Sequence, residues 1–156
     1  MGKVMFYHLT RQPVEVTLAM LLGKAHGAGW RVMVRGTSPD KMKTLDAKLW
    51  QGPDDSFLPH GLEGGPHDDL QPVLLSSGGA AAQGFSCLMT VDGASVSEKE
   101  VSEADRVCVL FDGHDPQAVQ TARNQWKELA DAGAEAEYWS EESGSWQKKA
   151  ETKANA

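Results

Sequence analysis

A chain of 156 residues, 40% hydrophobic and 24% charged, falls in the range of one compact globular domain with a single core. Its 22 acidic against 15 basic residues give a net charge of −7, which excludes general attraction of the molecule to phosphate backbones or anionic membranes. Any anion site must therefore be a local basic patch, and the longest apolar stretches, Leu18 to Leu22 and Val107 to Phe111, are too short to span a bilayer.

Met1 to Leu9 alternates large apolar and polar residues without the apolar run of a signal peptide, which implies a cytoplasmic protein. Val4 to Leu9 is the opening strand. Val14, Leu18, Leu21, Leu22 and Ala25 then recur at helical spacing until the Gly27-Ala28-Gly29 breaker. Arg31 to Arg35 is a second strand with Val32 and Val34 on one side. Ser38 and Pro39 supply an N-cap and a first-turn proline for a helix carrying Met42, Leu45 and Leu49. Gln51 to Pro72, rich in Gly, Pro, Asp and His, is a long irregular connection punctuated by Phe57-Leu58. Compact domains seldom carry such a loop without a binding role.

Val73 to Leu75 is a short strand, Gly78 to Gly84 a small-residue loop, and Cys87 to Val91 a central strand. Val107 to Phe111 is the strongest strand signal. Asp115-Pro116 starts a long helix with the pattern Ala118, Val119, Ala122, Trp126, Leu129, Ala130, closed by Gly133. Ala136 to Trp139 reads as a last strand. The expected architecture is a single α/β domain over residues 1–139: three layers, a mostly parallel sheet flanked by helices, Rossmann-like without a nucleotide motif. Residues 140–156 read as a polar, fraying tail.

A parallel sheet invites a search for a phosphate site, but the first strand-to-helix turn, His8 to Pro13, has no glycine, and no Walker-type lysine motif occurs. Gly78 to Gly84 lacks the required spacing. His60, His67 and His114, with Asp68, Asp69 and Asp115, show no helical ligand spacing and read as loop residues. Cys87 and Cys108 lie in apolar strands and read as buried free thiols. No catalytic residue, cofactor or metal is expected, and a binding role is favoured.

On the long helix Arg123 and Lys127 are four apart and share a face, with Trp126 one turn from Arg123. A guanidinium that grips a carboxylate, an ammonium and an indole suit a short peptide ending in an aromatic residue with a free carboxylate. Basic residues on an exposed helix are ordinarily only solvated and Trp126 also fits a core, so spacing alone leaves a passive face open.

Phe6-Tyr7 with Leu9, Trp30-Arg31-Val32, Leu49-Trp50, Ser56-Phe57-Leu58-Pro59-His60, and Ala122-Arg123 through Trp126-Lys127 to Ala132-Gly133 together resemble the chi subunit family of bacterial DNA polymerase III, up to Tyr138. The resemblance implies a non-catalytic adaptor in DNA replication that links the clamp loader to the acidic, Phe-terminated C-terminal tail of single-stranded-DNA-binding protein. It assigns that tail to Arg123, Trp126 and Lys127. Val119 and Ala130 stand where some members carry further basic residues, which implies a weaker or differently built anion pocket. The resemblance also assigns Trp50 and Phe57 to a second surface, for the psi subunit or an iron-sulfur helicase of the XPD type, although Trp50 at a helix end fits core packing equally. It implies a place in the bacterial cytoplasm, at the nucleoid through the replisome. The competing readings are a nucleotide- or small-molecule-binding α/β enzyme, which would show a deep polar pocket at the strand C-termini, and a repair scaffold that uses only Trp50 and Phe57.

Overall fold

The computed structural model describes residues 3–10, 14–50, 61–62, 73–77, 85–91, 93–94, 96–141 and 146–152. In chain order it forms β1 (Lys3–Leu9), α1 (Val14–Gly27), β2 (Val32–Arg35), α2 (Pro39–Trp50), β3 (Gly61–Leu62) and β4 (Val73–Ser76). These are followed by β5 (Cys87–Thr90), α3 (Glu98–Glu103), β6 (Arg106–Asp112), α4 (Pro116–Asp131), β7 (Glu135–Ser140) and β8 (Gln147–Thr152). The strands make one eight-stranded sheet in the order β3-β4-β2-β5-β6-β1-β7-β8, parallel throughout except for the β7–β8 pair.

Strand alternation sends side chains to two faces, and both faces are covered, which is the condition for a mostly parallel sheet. Tyr7, Leu9, Val32, Val34, Cys108 and Leu110 pack with Leu18 and Leu22 of α1 and Met42 and Leu45 of α2. On the opposite face Val4, Phe6, Leu88, Val107, Val109 and Ala136 pack with Val101 of α3 and with Ala122 and Leu129 of α4. The three-layer α/β architecture expected from the alternating pattern is the one observed. Cys87 and Cys108 are both buried free thiols, and the Cys108 thiol is held well above its usual range by the neighbouring Cys87 and by burial.

Two elements differ from the sequence reading. No periodicity marks an element over residues 97–104, yet Ser97 and Glu100 close a reciprocal capping box that starts α3, and Glu100 reaches across to Arg35 at the end of β2. Residues 140–156 were read as a polar tail, but 147–152 extend the sheet past residue 139 as β8. That strand is secured on the α1 side, where Trp146 meets the Tyr7 ring edge-on at 5.3 Å and Lys148 lies 3.9 Å from the Glu137 carboxylate. The polar sequence suits an edge strand, where charged side chains discourage further pairing.

Candidate functional site

The α4 helix begins where Asp115 accepts a hydrogen bond from the Gln117 amide at 3.0 Å and Pro116 occupies its first turn, and it ends at Gly133, which adopts a φ of 89°. Its buried stripe runs through Ala122 and Leu129. Trp126 lies on the flank of that stripe and is half-buried, with its ring 5.4 Å from Phe6 of β1 and 6.0 Å from Tyr138 of β7, both edge-on. The indole is thus partly packed into the core and partly exposed.

Arg123, one turn before Trp126, sits on the rim of an open depression of about 560 Å³. Parallel register brings His8 of β1 opposite Ser140 of β7, and both line this depression with Tyr138. The His8 Nδ1 and the Tyr138 hydroxyl are 2.8 Å apart, which fixes the phenol against the imidazole. Lys149 of β8 lines it as well. A cation, an aromatic wall and a second cation therefore face one concave space, an arrangement suited to an anion that carries an apolar ring.

Of the tail-site residues read from sequence, the structure brings Arg123 and Trp126 together and leaves Lys127 out of the depression. At about 100° per residue, Lys127 is turned some 40° further from the buried stripe than Arg123, toward open solvent. His8, Tyr138, Ser140 and Lys149 were not singled out by sequence spacing. Trp50 closes α2, but its side chain lies outside the described residues, as do Phe57 and the Gly78 to Gly84 loop. Of the histidines and aspartates weighed for a metal, His60, His67, Asp68 and Asp69 also lie outside them. His114 is instead within 2.7 Å of the Thr10 carbonyl through Nε2.

Gly113 abuts this site from behind. Its amide donates to the Leu9 carbonyl at 2.7 Å, and a Cβ built on it would overlap the His8 imidazole and crowd the same carbonyl. Gly113→Ala is therefore expected to displace His8, break its contact with Tyr138 and cost about 1–3 kcal/mol. The shift of the His8 ring resonances in NMR, together with the melting temperature, checks this. Unchanged values of both would show that the ring has room to spare.

A second concavity, of about 420 Å³, lies at the C-terminal ends of the strands, where an enzyme of this architecture would hold a nucleotide. Its polar lining includes Asp112 and Asp115. Both carboxylates are turned to local amides: Asp112 accepts from His114 N–H at 2.9 Å and Asp115 from Gln117 N–H at 3.0 Å. Pro116 lacks an N–H, so the start of α4 has one amide fewer to offer a phosphate, and Lys41 is the one cation beside the two carboxylates in this lining. Among the described residues, no group of three His, Cys, Asp or Glu side chains is placed to hold a metal ion, and no helix is long and apolar enough to cross a membrane.

The family model for the DNA polymerase III chi subunit, HolC, matches residues 1–137 of the chain. Among curated proteins none matches it. The matched span ends within β7, so α4 and the first half of β7 belong to the shared region, Tyr138 directly follows it, and β8 lies wholly beyond it.

Proposed function

Because the chain belongs to the DNA polymerase III chi subunit family, we propose that it is a non-catalytic accessory of the replicase that links the clamp loader to the C-terminal tail of single-stranded-DNA-binding protein. The observation that carries this reading is the depression that Arg123 lines together with Trp126 and Tyr138. A tail ending in phenylalanine presents a carboxylate and an aromatic ring on the same Cα, so its two binding groups must find a cation and an apolar wall side by side. Acidic residues upstream in such a tail are drawn to a local basic patch, while the net charge of −7 keeps DNA phosphates from the rest of the surface. Each contact is modest, and several tails presented together on coated DNA would raise the effective concentration enough to hold the replicase at the fork.

The second partner, a psi subunit or an XPD-like helicase, is assigned to Trp50 and Phe57 on family likeness alone. A cytoplasmic, replisome-associated location follows from the same likeness. At the strand C-termini Asp112 and Asp115 line the concavity together with the single cation Lys41, and the two carboxylates weigh against the nucleotide-binding alternative.

The test is a calorimetric titration of the full chain with the C-terminal peptide of the single-stranded-DNA-binding protein from the same source. A peptide lacking only the final phenylalanine is expected to bind at least about tenfold more weakly, and binding of both should weaken with salt. Equal binding of the two peptides would remove the reading. Tight binding of the isolated chain to single-stranded DNA would count as heavily against it.

A further inference from the structure

Resting on the tail-binding reading above, the geometry points to Lys149 of β8 as the second cation of the site, so that the terminal carboxylate of the bound peptide is clamped between Arg123 and Lys149. The clamp would then be completed by a strand outside the residues that match the family.

Three observations carry this. The first is a bulge. Tyr138 pairs with Ala150 and Trp139 with Lys148, so Lys149 is the extra residue between two successive pairs. A bulge of this kind re-aims a side chain, and here it leaves Lys148 on the Glu137 side of the sheet while Lys149 lines the depression on the Arg123 side. The second is charge. Lys148 lies near two carboxylates, 3.0 Å from Glu151 and 3.9 Å from Glu137, and Lys3 lies 2.8 Å from Glu137. By contrast, among the described residues, Lys149 reaches the neutral Gln147 side-chain oxygen at 3.4 Å, and neither it nor Arg123 makes an ion pair. These two cations face the same space with their charge uncommitted, whereas Lys127 is outside it. The third is anchorage. β8 is pinned by Trp146 against Tyr7 and by the Lys148–Glu137 pair, and the Lys3 ammonium keeps the Glu137 carboxyl below its usual range. Lys149 is thus carried on a strand whose attachment does not depend on it.

The occupant is an acidic peptide with a free terminal carboxylate rather than a nucleic acid. Two cations a cavity apart suit one terminal group with its ring on the Trp126 and Tyr138 wall. A DNA strand would need a basic track along its backbone, which an acidic protein of this charge does not offer.

Fluorescence anisotropy of the full chain with a labelled acidic peptide ending in phenylalanine, free or amidated at its C-terminus, tests the assignment. Lys149→Ala is expected to weaken the free-carboxylate peptide about tenfold and to change the amidated one less than twofold, while Lys149→Arg restores most of the affinity. Lys127→Ala is expected to leave both peptides within about twofold. Should Lys149→Ala bind like the wild type while Arg123→Ala does not, the clamp is wrong and the tail site stands. Equal loss in Lys149→Arg and Lys149→Ala would mark a structural role and overturn the clamp. A wild-type chain that binds the free and the amidated peptide equally would overturn the clamp and with it the grip of Arg123 on the terminal carboxylate, leaving the tail site to its dependence on the terminal phenylalanine. One that binds neither would overturn the tail site as well. An oligothymidylate that binds, and whose binding rather than the peptide's depends on Lys149, would reassign the pair to DNA.

Discussion

In chemical denaturation, Arg35→Ala is expected to lower the stability of the fold by about 3 kcal/mol. Arg35 ends β2 with its side chain only 9% exposed, and its two terminal nitrogens reach both carboxylate oxygens of Glu100, whose side chain is 19% exposed. Two parallel bonds between planar groups make the strongest form of this interaction. Removing the guanidinium leaves a largely buried carboxylate whose remaining partners are the Ser97 amide and hydroxyl at the start of α3. The loss therefore falls on the packing of α3 against the sheet as well as on the pair itself.

The same pair predicts how that loss depends on pH. The Arg35 guanidinium holds the Glu100 carboxyl at about 2, against an ordinary value of 4.5. A carboxyl whose value is lowered by folding stabilises the native state fully above 4.5, and that contribution is lost as pH falls through about 2. The wild type and Arg35→Ala should thus differ by the full amount at neutral pH and converge between pH 4.5 and 2. Other carboxylates titrate in both proteins and cancel in the difference. A gap that stays constant over that range would show that Glu100 is not the group coupled to Arg35.

How far these features could be read from the sequence depends on how each is built. β1, α1, β2, α2, β5, β6, α4 and β7 all announce themselves through a period, because each buries one face or both in a layer of the core. α3 is too short for a period: among the described side chains of Glu98–Glu103, Val101 alone is buried. Its signal was the Ser97 to Glu100 spacing of a capping box, which needs no apolar residue at all. β8 is an edge strand of charged and small residues, and nothing in Gln147–Thr152 separates it from a solvated tail until its partner β7 is known.

The site divides in the same way. Arg123 and Trp126 were legible because a helix places residues three apart on one face. Their neighbours were not, since His8 and Ser140 meet only through the parallel register of two strands that are far apart in the chain. One indication was present in the pattern: His8 continues the Val4, Phe6 alternation and so falls on the face that packs against α4. Lys127 lies outside the depression because sharing a face with Arg123 does not mean facing the same neighbour. A rotation of some 40° is enough to move a side chain from the rim of the depression to bulk water. Lys149 depends on a bulge, which shifts one residue of a strand to the other face and leaves no trace in the alternation.

Arg123→Glu and Trp126→Ala are expected to separate recognition from packing. Arg123 is exposed and makes no ion pair with a described residue, so reversing its charge should leave the melting temperature within a degree or two of the wild type. Peptide affinity should nevertheless fall on the order of a hundredfold, because a cation beside the ligand carboxylate becomes a like charge. The remaining affinity should depend less on salt than that of the wild type. Trp126→Ala removes a half-buried indole that touches Phe6 and Tyr138, and should cost about 2 kcal/mol of stability along with the apolar wall. A variant with both losses cannot tell a binding surface from a core defect, whereas Arg123→Glu can. If Arg123→Glu retained wild-type affinity at low salt, the depression between α4, β7 and β8 would not be where an acidic tail is held, however well its aromatic wall is formed.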